Sequence, residues 1–340
     1  MLSLSNLVKT IQYLPVQLPD INNIFSSSLP FEQFCWDTFQ YQYQNNFVYK
    51  EWVDLLKLQP NINKTPNLIP ALPISFFKDR QVVTGTFEPA KTFESSGTTG
   101  MVTSRHMVKS LEVYEHSFMA GFNHFYGDIK NWCVLALLPA YLERENSSLV
   151  YMANVLINKS EHVKSGFYLY NYEDLSNTIK VLEQEGQPTI LLGVTFALLD
   201  FSKNFPQQLK HTIVMETGGM KGRGPELTRD ELHKVLMDRL GGGLIHAEYG
   251  MTELLSQAYS NGAGLYQCPP WMKVFVRSED DPLSIAETGS GILQIIDLAN
   301  LHSCSFIATQ DIGKVYPDGS FEVLGRVDNS DMRGCSLLVV

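Results

Sequence analysis

Cysteine is scarce and scattered in this sequence. Cys35, Cys133, Cys268, Cys304 and Cys335 make an odd five, with no C-x-x-C pair among them. That spacing excludes a disulfide framework and a cysteine zinc site, and it predicts reduced thiols in a cytoplasmic setting. The histidines, among them His106, His116, His124, His211, His233, His246 and His302, also lack metal-ligand spacing. Long apolar runs are missing: no stretch approaches the roughly 18 uncharged apolar residues of a membrane span. The N-terminal stretch MLSLSNLVKTIQYLPVQLPD has no charged segment followed by an apolar run and a small-residue cleavage site, so no signal peptide is expected. Positive charge is in short supply too. Lys and Arg number 26 against 36 Asp and Glu, a net −10, which argues against nonspecific binding to nucleic acid or to an anionic membrane.

What is present suits a globular enzyme. Hydrophobic residues at 44% and charged ones at 18% exclude a disordered chain. The 340 residues are enough for one large domain or two lobes around a sizeable core. Residues 1–90 read as an irregular, helix-rich lead-in, dense in aromatics over Phe31–Leu56. The three prolines of NINKTPNLIPALPIS make a loop or an edge approach, because proline lacks a ladder donor. FFKDRQVVTG reads as a short strand and turn. Apolar residues at Met107, Leu111, Tyr114, Phe118 and Phe122 give a helical period over His106–Tyr126. Strands and helices then alternate. Strands are predicted at Trp132–Pro139, Gly166–Tyr170, Thr189–Gly193, His211–Glu216 and Leu244–Gly250. Helices are predicted at Ser147–Asn158, Tyr172–Glu185, Val194–Phe201 and from a capping box at Thr228–Glu231 to Gly241. Such alternation implies crossover units and a largely parallel sheet. From about Trp271 the helices stop, and short β runs with turns such as Tyr316-Pro317-Asp318-Gly319 point to a small antiparallel or barrel-like lobe.

Five short motifs could carry chemistry. Ser95-Ser96-Gly97-Thr98-Thr99-Gly100 offers backbone and hydroxyl donors to an anion, just before the predicted helix. It is not a Walker A loop, since GxxxxGK[ST] is absent. Alone, it is equally a solvated loop. Glu216-Thr217-Gly218-Gly219 follows a strand. Tyr249-Gly250-Met251-Thr252-Glu253 leaves another. Asp311 lies in TQDIG, and Gly325-Arg326-Val327-Asp328 follows it. Singly, these are also a turn residue, a surface charge and a core aromatic.

Taken in order, the five resemble the adenylate-forming superfamily of acyl-CoA synthetases, peptide-synthetase adenylation domains and luciferases, over roughly residues 70–335. The resemblance implies an α/β fold like the N-terminal domain of that superfamily, with mostly parallel sheets, helices and a small β-barrel-like lobe. It implies ATP and Mg2+. Ser95, Ser96, Gly97, Thr98, Thr99 and Gly100 would cradle the phosphates, and Gly218 and Gly219 would lie beside adenine. Tyr249 and Gly250 would follow, with the aromatic ring stacked on adenine. Thr252 would touch the α-phosphate, Glu253 would ligate magnesium, and Asp311 and Arg326 would hold the ribose. A single carboxylate with phosphate oxygens is what Mg2+ takes. Two features depart from the superfamily pattern. The lysine that usually follows the loop is missing, leaving Arg105 as the candidate for the phosphates. The superfamily usually continues into a C-terminal domain where this sequence stops, soon after Asp328, so either the sequence is a fragment or the expectation is a protein that works without that domain.

One branch of the superfamily works without the full C-terminal domain. The long-chain acyl-protein synthetases of the LuxE family are similar in length and place an acyl-accepting cysteine near the C-terminus, where Cys335 stands. Ser104-Arg105-His106 and the Gly218–Lys221 stretch also resemble that branch. The expectation is an AMP-forming ligase that activates a fatty or aryl carboxylic acid and passes the acyl group to a thiol: Cys335, or less favourably Cys35. From there a reductase or other acyl-accepting partner protein would take it. The catalytic residues would be Cys335, Arg105 and Thr252. Two alternatives stay open: a phenylacetate-type CoA ligase without its C-terminal domain, and a nucleotide-binding interaction protein. The expected organisation is a lead-in over 1–90, an adenylation core over 91–268, a β lobe over 269–328 and a tail over 329–340. Lys221 and Arg223 read as loop charges, His246 as structural, and Phe196, Tyr141 and Leu142 as core residues that could instead line an acyl pocket.

Overall fold

The computed structural model describes residues 16–25, 30–57, 65–95, 102–139, 146–218, 227–241, 243–279, 281 and 283–327. Three helices open the chain: α1 (Ile21–Ile24), α2 (Phe31–Asn45) and α3 (Phe47–Leu55). They are docked by buried amides. The Gln42 side chain donates to the Asn300 and Leu301 carbonyls at 2.9 and 3.2 Å and accepts from the Ser305 N–H at 2.9 Å. Asn46 caps α3 through the Tyr49 N–H at 3.0 Å and donates to the Ser303 carbonyl at 2.9 Å. Buried amides are retained where every polar atom finds a partner, and these four pairings fix the helices on the segment that follows Asp297.

The proline-rich stretch makes the expected edge approach. Its strand β1 (Leu72–Pro73) pairs in parallel with a later strand, Leu72 opposite Ile307. FFKD is a single helical turn, α4 (Phe76–Asp79), where a strand was expected. Burial decides the difference: one turn puts Phe77 fully inside, with its ring edge-on to His106 at 5.7 Å. Next comes a separate two-stranded ribbon, β2 (Lys91–Glu94) and β3 (Arg105–Val108), paired antiparallel with Glu94 opposite Arg105. Helix α5 (Leu111–Tyr126) starts only after it. The helical period read from His106 onward thus overlaps a strand, whose pairing with β2 overrides local propensity.

The alternating region follows the expected order. It runs β4 (Cys133–Leu137), α6 (Ser148–Ser160), β5 (Gly166–Tyr168), α7 (Tyr172–Glu185), β6 (Thr189–Val194), α8 (Thr195–Asn204), β7 (Thr212–Thr217), α9 (Arg229–Leu240) and β8 (His246–Tyr249). β4 and β6 are buried at every position. Continuous apolar runs of this kind mark strands covered on both faces, each buried Leu or Val contributing about 1.5–3 kcal/mol. Gly186 closes α7 with a left-handed φ of 68°, and the Thr228–Glu231 capping box opens α9. Strands β9 (Ala258–Ser260), β10 (Tyr266–Gln267), β11 (Met272–Arg277), β12 (Ile285–Ala286), β13 (Gly289–Asp297), β14 (Phe306–Val315) and β15 (Phe321–Arg326) complete the described residues.

Among the described residues these strands form one sheet in the order β12-β11-β13-β14-β15-β10-β9-β8-β7-β6-β4-β5, with β1 added on β14. The half from β8 to β5 is parallel and packed with helices, while β9 to β15 pair antiparallel. Parallel and antiparallel halves meet at β8, the strand that carries Tyr249. That junction places the carboxyl end of the parallel strands beside the β14–β15 hairpin, where ligands bind in open α/β sheets.

Candidate functional site

The Ser95–Gly100 motif begins directly after β2, and β3 follows it at Arg105. Its ends are fastened: the Ser95 N–H donates to the Ser104 carbonyl at 3.0 Å, and the Ser104 N–H to the Ser95 hydroxyl at 2.9 Å. Ser96, Gly97, Thr98, Thr99 and Gly100 lie outside the described residues, as do Gly219, Lys221, Arg223, Asp328, Cys335, Tyr141 and Leu142. The expected helix N-terminus does not follow the loop, because β3 intervenes. Arg105 is exposed on β3.

The Tyr249–Glu253 segment leaves β8 and is held at each step. Tyr249 is buried, and its hydroxyl donates to Asp311 Oδ2 at 2.7 Å. Its ring sits 5.5 Å from Phe321, edge-on, and 5.8 Å from Tyr266. Asp311 lies directly opposite Arg326 in the β14–β15 register, with Arg326 Nε 3.7 Å from Oδ1. Burial pushes the Asp311 carboxyl above the usual carboxylate range, opposed by the Tyr249 hydrogen bond and the Arg326 charge. Gly313 explains the glycine of TQDIG. A Cβ there would come within 2.3 Å of the Glu322 carbonyl oxygen, at the register shift just after Asp311.

The Thr252 carbonyl oxygen lies 2.8 Å from His106 Nδ1. Glu253 is buried, its carboxylate takes a hydrogen bond from the Ser104 hydroxyl, and its backbone carbonyl accepts from Asn300 Nδ2 at 2.8 Å. Desolvation raises the Glu253 carboxyl, with Ser104 working against it. Beyond it, Asp297 receives the Leu255 and Ser256 N–H groups at 2.8 and 3.0 Å, the Ser256 hydroxyl at 2.5 Å and the Ala299 N–H at 3.1 Å. The segment is therefore gripped by β3 on one side and by the β13–β14 connection on the other.

Gly218 ends β7 with a left-handed φ of 61°, and its carbonyl accepts from the Thr195 hydroxyl at 2.7 Å. Beneath it Glu216 meets Arg229 Nε at 3.2 Å, and Arg229 NH1 donates to the Val323 carbonyl at 2.9 Å. Arg229 thus ties β7 to β15 behind the Tyr249 aromatic group. On the opposite face of β8, Glu248 faces a cavity of about 10 Å³, walled by Phe122, Leu192, Met215 and Tyr259 among others. Burial raises its carboxyl to about 7, offset in part by the Thr217 hydroxyl. His246 bonds Tyr126 through Nδ1 at 3.1 Å, and Phe196 packs against the core.

The structure makes two contact sets, Ser95 with Thr252 and Glu253 through Ser104 and His106, and Tyr249 with Asp311 and Arg326, joined by the backbone of residues 249–253, with Gly218 on the neighbouring strand end. It gives contacts to Ser104 and His106, marked in the sequence only by their likeness to the LuxE branch, and adds residues that the motifs did not mark: Glu248, Asp297, Asn300, Thr195 and Arg229. A charged residue in a strand buried on both faces is itself a signal, and Glu248 carried it. Asn300 and Asp297 had none, because their role arises only from a chain reversal that brings them against Glu253. Among the described residues no group of three His, Cys, Asp or Glu side chains could hold a metal on its own. A lone hard carboxylate fits a magnesium ion whose other ligands are phosphate oxygens and water.

Solved structures share this fold. Apo MatB from Rhodopseudomonas palustris matches at 14% identity with a TM-score of 0.51, covering 70% of this chain and 48% of its own. An ATP-bound RpMatB-BxBclM chimera matches at 15% and 0.52, covering 72% and 49%. A 2-hydroxyisobutyryl-CoA ligase in the postadenylation state with R3-HIB-AMP matches at 10% and 0.59, covering 88% and 67%. The chain spans about half the length of the MatB structures. No curated protein matches it in sequence. The family described as "Acyl-protein synthetase, LuxE" matches residues 26–340, nearly the whole sequence, and the chain belongs to that family.

Proposed function

We propose that this protein is an AMP-forming acid-activating enzyme that passes the activated acyl group to a cysteine thiol. The observation that supports the reading is that the short segment Tyr249–Glu253 joins two contact sets: its Thr252–Glu253 end meets Ser104 and His106 of the β2–β3 hairpin, and its Tyr249 end meets Asp311, which pairs with Arg326. In this reading the hairpin end would take the phosphates and metal, and the Tyr249 end the base and ribose. In the first step an oxygen of the acid's carboxylate attacks the α-phosphorus of ATP. A P–O bond forms, the bond to pyrophosphate breaks, and acyl-AMP results. Ser95 to Gly100 and Arg105 would neutralise the phosphates and Thr252 would orient the α-phosphate, so the work is positioning and charge stabilisation. Glu253 would hold magnesium, which supplies positive charge to the phosphate oxygens.

In the second step a thiolate attacks the acyl carbonyl, and AMP leaves with the C–O bond electrons. Burial disfavours the described cysteines as that nucleophile. It pushes the thiols of Cys35 and Cys268 up, Cys133 to about 11 and Cys304 to about 12. Thiolate, not thiol, is the nucleophile, which supports Cys335 as the acceptor and a partner protein, such as a reductase, as the recipient. Fatty or aryl acids are the substrate class. No described helix is long and apolar enough to cross a membrane, and unpaired cysteines suit the reducing cytoplasm.

Acid-dependent ATP–pyrophosphate exchange over a panel of fatty and aryl acids tests the first step, and absence of exchange with every acid sinks it. Intact mass after incubation with ATP, Mg2+ and acid tests the second. An acyl adduct that vanishes in Cys335→Ser is expected. An adduct retained in Cys335→Ser, or formed only on added CoA, overturns the protein-thiol step.

A further inference from the structure

Two side chains of the phosphate-loop hairpin grip the Thr252–Glu253 segment. The Ser104 hydroxyl donates to the Glu253 carboxylate, and His106 Nδ1 meets the Thr252 carbonyl at 2.8 Å. A carbonyl only accepts, so Nδ1 carries the ring proton and Nε2 does not. Ser104 and His106 are alternate positions of one extended segment and share a face, while Arg105 between them points to solvent. Both are almost fully inside, at 3% and 1% exposure. The Phe77 ring, edge-on at 5.7 Å, fixes the imidazole plane. Burial lowers His106 to about 4, so the ring stays neutral and its donor stays in place across the neutral range. Ser104 also closes the hairpin on Ser95. The hairpin is closed through the Ser104 backbone, while the Ser104 and His106 side chains seat the segment that carries the buried carboxylate. Among the described residues no salt bridge reaches Glu253, on which the Arg326 charge acts only at a distance.

We propose that Ser104 and His106 are positioning residues that set the Glu253 carboxylate for the divalent cation accompanying a nucleotide's phosphates, joining the phosphate-binding hairpin and the cation-binding segment into one unit. The inference rests on the acid-activating reading above and deepens it. A purely structural pair would weaken ATP binding equally with and without metal. A positioning pair weakens only the cation's share.

Isothermal titration of the full chain with ATP, in excess Mg2+ and in EDTA, gives two dissociation constants. Their ratio measures how far the cation assists binding. Ser104→Ala and His106→Leu are expected to lower that ratio about tenfold, the usual scale for partners of a metal ligand, leaving metal-free affinity unchanged. His106→Asn, whose amide N–H falls near the place of Nδ1–H, recovers most of the ratio. Equal ratios in wild type and variants overturn the inference, as does an equal loss with and without metal. Should a variant fail to fold, ring-nitrogen chemical shifts of His106 in the wild type decide. The Nδ1–H tautomer, moved by Mg·ATP and not by ATP in EDTA, is expected. The other tautomer, or a ring insensitive to the cation, overturns the proposal. Wild-type protein that binds no ATP in either condition overturns the acid-activating reading itself, and this inference with it. Wild-type binding with unchanged variant ratios removes the positioning pair alone.

Discussion

Tyr249 shows how a residue legible in sequence acquires a second role in the fold. The motif marked it as an aromatic beside adenine, while the structure also makes its hydroxyl the donor to Asp311. Tyr249→Phe leaves a half-buried carboxylate without that donor and should cost about 1.5–3 kcal/mol in urea unfolding at pH 7, the usual value for a hydrogen bond to a charged group. Glu248, one position earlier, carried no motif. Its carboxyl titrates at about 7 in the fold against 4.5 for an ordinary glutamate. Between those values the unfolded chain has released its proton and the folded chain still holds it. The contribution of Glu248 to stability therefore falls as pH rises from 4.5 to 7 and is flat beyond. Glu248→Gln has no such slope. Its stability relative to wild type should rise across that window by on the order of 3 kcal/mol, read from urea unfolding at pH 4.5 and pH 8. A difference independent of pH would place the titration elsewhere.

Elements hold the site through connections that local sequence does not announce. The segment after β8 has no regular structure of its own, and Asp297, at the end of β13, organises it with four donors. An asparagine there must turn an NH2 toward one pair of those donors. Asp297→Asn should cost roughly 3 kcal/mol and weaken Mg·ATP binding through the displaced Glu253. Chemical denaturation and nucleotide titration check the two effects, and a variant with wild-type nucleotide affinity would detach Asp297 from the site. The predicted strands β4, β6, β7 and β8 and helices α6 to α9 agree with the structure because local signals coincide there: an apolar pattern of the matching period, with side-chain caps at Ser147 of α6 and Thr228 of α9 and glycine stops at Gly186 of α7 and Gly241 of α9. Over His106–Val108 they do not coincide. The helical period continues back into the segment, but backbone pairing with β2 satisfies its polar groups and burial of His106 and Val108 rewards a strand. Phe76–Asp79 went the other way, from expected strand to helical turn, for the burial of Phe77.

At the scale of the whole molecule, the lead-in is part of the site's support. Gln42 and Asn46 hold the segment Asn300–Ser305, and Asn300 holds Glu253. Gln42→Ala leaves buried carbonyls unpaired and should lower the melting temperature by several degrees, a loss of about 1–3 kcal/mol. Family membership over residues 26–340 includes this lead-in, although its sequence carried no motif. The sequence alone determined the class of protein: composition fixed a globular chain, the alternation of apolar runs fixed an α/β sheet, and five ordered motifs pointed to adenylate-forming chemistry. Those signals are local, written in spacing of a few residues, and so can be read without a fold. Tertiary structure alone decided the rest. It determined that Ser104 and His106 face the Thr252–Glu253 segment from a different strand, that Asp297 and Asn300 secure it from behind, and that Cys35, Cys133 and Cys304 are buried and Cys268 half-buried. Each of these is a contact between residues far apart in sequence, created by desolvation and backbone pairing, and no local pattern encodes it.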